Sequence, residues 1–170
     1  MNPVHSLQGL VEHIGPRLKL RWLTPPPAQH CPLLNDGGAR PVQSLVGSLN
    51  CIHPNRLQVL GQAEILHLAD LSAPAYQETI DRLFSARPAA VIFASDIVPD
   101  PVFFDYAERT GTPLLGSSAR DAEIVDRLQY FLTHALAERT TVHGVLLEVL
   151  GLGVLLTGDA GVGKSELALE

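Results

Sequence analysis

The sequence contains little cysteine, little lysine and no long apolar segment, and each absence excludes a class of protein. The only cysteines among its 170 residues, Cys31 and Cys51, are too few for a disulfide scaffold and lack the close spacing of a zinc site. No apolar run reaches the roughly 18 residues of a membrane span, and the N-terminus lacks the basic and apolar regions of a secretory signal. We therefore expect a soluble protein in a reducing, cytoplasmic environment.

The charge balance argues against nucleic acid as a partner. The net charge is −6, and the basic residues form no stripe along the chain that could follow a phosphate backbone. Ten of the basic residues are arginine, and only Lys19 and Lys164 are lysine. One of these two lysines lies inside a glycine-rich segment near the end of the sequence. We expect neither nucleic acid nor a membrane as a partner.

Helix and strand patterns alternate through the first 130 residues and predict an α/β domain with a parallel or mixed sheet. A pattern of the capping-box type at Ser118 and Asp121 predicts the start of a long helix. The other elements rest on apolar periodicity and on proline or glycine boundaries. The predicted helices are 6–14, ended by Gly15 and Pro16, 75–85, 101–109 and about 119–139. The predicted strands are 18–23, 63–68, 89–93 and 113–115, with short apolar runs at 42–51 and 57–60 around a turn at 53–55.

The residue pattern of the sequence changes after the long helix, which indicates a second domain. We assign 1–130 to a regulatory or assembly domain, 119–139 to a linking helix and 140–170 to the start of a second domain. This start contains a pair of strands at 144–149 and 153–157. The sequence stops inside the next helix, so we expect the second domain to be truncated.

Residues 158–165 fit the phosphate-binding pattern G-x-x-x-x-G-K-[ST]. An apolar strand precedes the loop and a helix start follows it, as the pattern requires. The three glycines allow a tight turn whose N–H groups converge on a phosphate. Lys164 would reach the β- and γ-phosphates, and the hydroxyl of Ser165 would coordinate Mg²⁺. The predicted nucleotide-binding residues are Gly158, Asp159, Ala160, Gly161, Val162, Gly163, Lys164 and Ser165.

The segment 140–170 resembles the start of the catalytic domain of the HPr kinase/phosphorylase family. It carries His143-Gly144-Val145 before the strand pair, and a loop of the form GDAGVGKSE where the family has GDSGIGKSE. Ala160 therefore replaces a serine, which removes a hydroxyl but no backbone donor. Weaker similarity to the family extends back over 54–61, 87–88, 111–115, 127–132 and 136–139.

The resemblance implies a bifunctional enzyme. It would phosphorylate a serine of HPr, the small phosphocarrier of the phosphotransferase system, with ATP or pyrophosphate, and would remove the phosphate by phosphorolysis. It implies a kinase domain similar to phosphoenolpyruvate carboxykinases, a hexamer, ATP and Mg²⁺ as cofactors, and catalytic roles for His143 and Lys164. The family's acidic pair, catalytic arginine and HPr-facing loop would follow residue 170. We therefore expect a fragment that is inactive alone.

The residues themselves leave two other functions open. Because no catalytic cluster precedes His143, the first domain could be a non-catalytic module for oligomerisation or ligand sensing. The loop could also belong to an unrelated P-loop NTPase, an ATPase or a GTPase, or it could be a glycine-rich turn that binds nothing.

Several polar residues outside the loop have simpler explanations than a site. Asp96, Asp100 and Asp105 favour a helix cap and a solvated loop over an acidic site. His134 is expected at the surface or in packing, and Trp22 in packing. Cys31 and Cys51 are interpreted as structural or incidental.

Overall fold

The computed structural model describes residues 6–27, 31–33, 46–50, 55–135, 142–159 and 161–168. The chain divides into two compact units, Met1–Ala137 and Glu138–Glu170. Within the described ranges, no helix is both long and apolar enough to cross a membrane. The helices are α1 (Leu7–Leu18), α2 (Gln62–Ala69), α3 (Ala73–Ser85), α4 (Pro101–Thr110), α5 (Asp121–Ala135) and α6 (Lys164–Leu167). The strands are β1 (Arg21–Trp22), β2 (Val46–Ser48), β3 (Leu57–Leu60), β4 (Ala90–Phe93), β5 (Leu114–Gly116), β6 (Gly144–Val149) and β7 (Leu152–Thr157).

The first unit contains a five-stranded sheet in the order β1-β5-β4-β3-β2. Strands β2 to β5 run parallel, and β1 adds an antiparallel edge beside β5. Every residue of β3, β4 and β5 is buried, as in parallel sheets covered on both faces. The expected α/β class with a parallel or mixed sheet is confirmed, and the sheet is mixed and mostly parallel.

Helices cover both faces of this sheet and form a separate apolar core on each side. On one face, α1 and α5 bury leucines such as Leu10 and Leu128 against Val59 and Ile92. On the other face, α2, α3 and α4 enclose an aromatic cluster in which Phe93 and Phe103 meet edge to face, with ring centroids 5.0 Å apart. Alternate residues of each strand point to opposite cores, as the pleat requires.

The segment predicted as a strand at 63–68 is the helix α2, so that prediction was wrong. The N–H of Gly61 donates to Glu64 Oε2 at 2.9 Å, which caps the first turn. The helix is short and buries only Leu68 fully. The six residues 63–68 therefore contain too few apolar positions to distinguish the period of a helix from that of a strand.

Two predicted helix boundaries near proline and serine were also wrong. Helix α1 continues through Gly15 and Pro16 and ends at Leu18, followed by a left-handed Lys19. Glycine before proline lacks the Cβ that would otherwise clash in a helix, so the last turn persists. Helix α5 begins at Asp121, so Ser118 is not its N-cap.

The remaining predicted elements of the first unit are confirmed within one or two residues, except that the strand expected over 18–23 is only Arg21–Trp22. Its first residue, Leu18, belongs to α1, and Lys19 is the C-cap of that helix. The predictions for 42–45, 51, 53–54 and 136–139 lie outside the described residues.

The second unit contains an antiparallel hairpin of β6 and β7, which confirms the predicted pair of strands. Gly144 pairs with Thr157 and Val149 with Leu152. The turn between them has Leu150 at φ 53° and Gly151 at φ 80°. Two central residues with positive φ are the mark of a type I′ hairpin turn.

Candidate functional site

The candidate phosphate-binding loop connects β7 to α6. Gly161 and Gly163 have φ of 84° and 80°, a left-handed backbone that glycine adopts without strain. A Cβ on Gly163 would also lie 3.1 Å from Glu166 Oε2. These two positions therefore require glycine; the motif predicts this for position 163, whereas Gly161 occupies one of its free positions.

Gly158 differs from these two glycines in its backbone conformation. Its backbone is not left-handed, and a Cβ there would meet Val162 Cγ2 at an ordinary contact distance of 3.4 Å. Gly158 therefore does not need the conformational freedom of glycine that Gly161 and Gly163 use. Ala160, the position of the departure from the family pattern, lies outside the described residues.

The ammonium group of Lys164 lies at the start of the loop. Its Nζ donates to the carbonyl oxygens of Gly158 at 2.9 Å and Asp159 at 2.5 Å. An ammonium has three donors, so one remains for a further acceptor. Asp159 thus contributes its backbone oxygen to the lysine. The motif names the lysine, but this contact with the loop carbonyls follows only from the turn geometry.

The side chains of Asp159, Val162 and Ser165 are open to solvent. Ser165 is the second residue of α6 and is exposed, and Val162 is 61% exposed. The described ranges contain no cluster of three or more His, Cys, Asp or Glu side chains that could hold a metal. A single hydroxyl fits Mg²⁺ in the usual way for this ion, which keeps waters and takes most other ligands from nucleotide phosphates.

His143 lies at the same end of the hairpin as the loop. The register pairs Gly144 with Thr157, so His143 directly precedes the first pair and Gly158 directly follows it. His143 is exposed. The antiparallel register therefore brings His143 and the loop together, although they are far apart in sequence.

Of the three aspartates weighed as an acidic site, two have structural partners and the third is exposed. Asp100 caps α4 by accepting from the N–H of Val102 at 3.0 Å, and Asp105 is exposed. Asp96 pairs with Arg21 at 2.7 Å. The simpler interpretation of a helix cap and a solvated loop is confirmed.

The remaining weighed residues also occupy ordinary positions. His134 is exposed, with its Nδ1 2.7 Å from the carbonyl of Tyr130. Trp22 packs against the first core. Cys31 is a free, half-buried thiol, and Cys51 lies outside the described residues.

Comparison with known protein families accounts for nearly the whole chain. The model of the HPr serine kinase N terminus matches residues 6–132, and that of the HPr serine kinase C-terminal domain matches residues 134–170. The chain belongs to the HPr serine kinase family. The family boundary therefore falls close to the division between the two compact units.

Curated relatives agree with this membership. The HPr kinase/phosphorylase of Xanthomonas axonopodis pv. citri is 37% identical over 170 residues, which are 100% of this chain and 54% of the relative. That of Bordetella pertussis is 38% identical over 165 residues, 97% of this chain and 53% of the relative. That of Burkholderia cenocepacia is 38% identical over 167 residues. The chain thus spans about half the length of the curated relatives that it matches.

Proposed function

We propose that this chain supplies the regulatory domain and the phosphate-binding loop of a bifunctional HPr serine kinase/phosphorylase. The observation that carries the proposal is the loop itself. Glycine is required at two turn positions, the ammonium group of the loop lysine contacts the first carbonyls of the loop, and a hairpin strand leads directly into the loop. Family membership gives the loop its context, since the relatives are named for kinase and phosphorylase activity on HPr.

The loop residues would bind the phosphates of ATP. The N–H groups around Gly161 and Gly163 would donate to phosphate oxygens, because their backbone turns in a way that other residues resist. Lys164 would use its third donor, or exchange a carbonyl partner, for a β- or γ-phosphate oxygen. The bound Mg²⁺ would neutralise charge on these oxygens, and Ser165 would contribute its hydroxyl to that ion.

His143 would act at the same end of the hairpin. An imidazole changes charge near neutral pH, so His143 can stabilise phosphate charge or hold the carboxylate of a neighbouring residue. Phosphate transfer to the HPr serine also needs an acidic group to orient the nucleophile. That group would come from outside this chain, so we propose that the chain alone does not catalyse transfer.

We further propose a cytoplasmic homo-oligomer, a hexamer on the family pattern, that binds HPr as its protein substrate. A first unit without a metal-ligating cluster in its described part suits assembly or sensing better than chemistry. Light scattering of the full-length product, with and without residues 1–130, tests the assembly role.

The decisive test is phosphate transfer by the full-length gene product. We expect ATP and Mg²⁺ to add one phosphate to a serine of HPr, detected by intact mass, and inorganic phosphate to remove it with release of pyrophosphate. Lys164→Met should abolish both directions. Lys19→Met is the matched control, since Lys19 is the only other lysine among these 170 residues and is exposed at the end of α1. An active Lys164→Met enzyme, or a wild-type enzyme that leaves HPr unmodified, would refute the proposal.

A further inference from the structure

A polar pocket of about 390 Å³ lies between the C-terminal ends of α3 and α4 in the first unit. Two arginines from different segments, Arg87 and Arg109, contribute to its wall together with the hydroxyl residues Ser85 and Thr110. A volume of this size is within the usual range for small-molecule sites. No sequence motif marks this pocket, because only the fold brings the two arginines together.

Arg109 is held in place by a buried tyrosine. The guanidinium carbon lies 4.1 Å from the centroid of the Tyr106 ring. The Tyr106 hydroxyl donates to Asp81 and accepts from Gln77, so the ring that supports the guanidinium cannot rotate freely. A guanidinium fixed over a ring keeps its N–H donors available around its edge. Arg109 is therefore oriented in advance of any ligand.

Arg87 occupies a backbone position that favours glycine. Its φ is 48°, its N–H donates to the carbonyl of Phe84 at 2.9 Å, and its own carbonyl accepts from Arg56 at 2.7 Å. These contacts hold the left-handed conformation that ends many helices, where glycine is the usual residue. The backbone of Arg87 is strained in this conformation, and its charged side chain lies at the pocket.

The charges of the pocket favour an anion. The pocket wall also contains the carboxylate of Asp81, which accepts from the Tyr106 hydroxyl. The two arginines outnumber this carboxylate, and the ion pairs of the described residues include neither Arg87 nor Arg109. Helix C-termini normally repel anions through their free carbonyls. Here the carbonyl of Phe84 accepts from a backbone N–H and that of Tyr106 accepts from the Thr110 hydroxyl. The pocket thus keeps positive charge in a chain whose net charge is −6.

We propose that this pocket binds the phosphate group of a small molecule, separately from the loop at 158–165. Phosphate presents oxygens in several directions and suits donors that converge from two segments, whereas one arginine can satisfy a planar carboxylate alone. The remaining volume accommodates a small organic remainder. A ligand here would give the first unit a sensing role, and this inference does not depend on catalysis by the whole protein.

Amide NMR of the 170-residue chain tests the proposal. The background variant Lys164→Met weakens binding at the loop, and the probes are inorganic phosphate, glycerol 3-phosphate and glycerol as the uncharged control. We expect saturable shifts at the amides of Ser85, Arg87 and Thr110 with the two phosphates only. Tighter binding of glycerol 3-phosphate would identify a phosphate ester as the ligand class, and tighter binding of inorganic phosphate would identify the free ion.

Three substitutions distinguish specific phosphate binding at the pocket from nonspecific attraction of anions to the protein. Arg87→Gly removes a guanidinium while relieving the left-handed backbone, so the fold should persist and phosphate affinity should fall about tenfold or more. Arg109→Gln should have a similar effect on affinity. Arg82→Gln is the matched control, because Arg82 pairs with Glu78 on α3 and lies outside the pocket wall. Absent shifts at the pocket, unchanged affinity in Arg87→Gly and Arg109→Gln, or an equal loss in Arg82→Gln would overturn the proposal.

Discussion

The side chain of Asp121 lies directly against the backbone of Gly61. A Cβ at position 61 would be 2.6 Å from the Cγ of Asp121 and 2.8 Å from its Cβ. This contact brings the first residue of α5 onto the end of β3, so it fixes how the long helix meets the sheet.

Gly61→Ala should therefore destabilise the first unit, by about 1–3 kcal/mol, since the new methyl cannot fit without displacing α5. Chemical denaturation measures the change in the free energy of unfolding. Adding Asp121→Gly removes the opposing atoms, so the double variant should lose less stability than the sum of the two single variants. Additive losses would show that the contact does not limit the packing.

Gly158 and Gly163 differ in backbone conformation, so they should differ in how well the loop tolerates their replacement by alanine. Gly163→Ala should lower the affinity for ATP about tenfold or more, because position 163 is left-handed and its Cβ would approach Glu166. Gly158→Ala should retain most of the affinity, since its Cβ makes only an ordinary contact with Val162. Titration with a fluorescent ATP analogue compares the two variants. Equal losses in both would contradict the loop geometry.

The turn of the β6–β7 hairpin carries a residue that suits it poorly. Leu150 is 98% exposed and has a left-handed backbone, which asparagine tolerates better than leucine. Leu150→Asn should stabilise the hairpin by about 1 kcal/mol at most, measured as slower hydrogen exchange of the β6 and β7 amides. Gly151→Ala, at φ 80°, should accelerate the same exchange. Faster exchange in Leu150→Asn would contradict the assignment of the turn.

The thiol of Cys31 should react slowly at neutral pH. Burial raises its pKa, and the nearby positive charge of Arg56 lowers it by less. The pKa of this thiol is higher in the folded chain than in the unfolded chain, because folding disfavours the thiolate. The contribution of the neutral thiol to the free energy of unfolding is therefore fully present below the unfolded pKa and is lost as the pH rises through the folded pKa. In a Cys51→Ser background, alkylation by iodoacetamide should show a higher apparent pKa for the folded chain than for the chain in urea. An equal or lower value in the folded chain would exclude burial as the dominant effect.

Sequence patterns predict the parts of this fold whose signals are local and long. Helix α5 shows its apolar face over four turns, and the loop at 158–165 fits a motif whose spacing follows from phosphate chemistry. Helix α2 is too short to display a period. The continuation of α1 past Pro16 depends on the missing Cβ of Gly15, which a rule based on proline alone overlooks.

The candidate site divides in the same way. Glycine at 163 and the lysine at 164 follow from the motif. The motif leaves position 161 open, and the tolerance of position 158 depends on how the loop closes around Val162. Arg87 and Arg109 line the same pocket because the tertiary structure brings two helix ends together. Contacts between distant segments leave no periodic trace in a single sequence.

The antiparallel edge of the sheet also sets an order of events during synthesis. Arg21 of β1 pairs with Gly116 of β5, so β1 has no strand partner until nearly the whole first unit has left the ribosome. The parallel strands β3, β4 and β5 are closer together in sequence and can associate earlier. Long-range pairing of this kind slows folding, because a large loop must close before the contact forms. Strand β1 can therefore complete the sheet only after β5 has been made, and the core shared by α1 and α5 is complete only once both helices have packed.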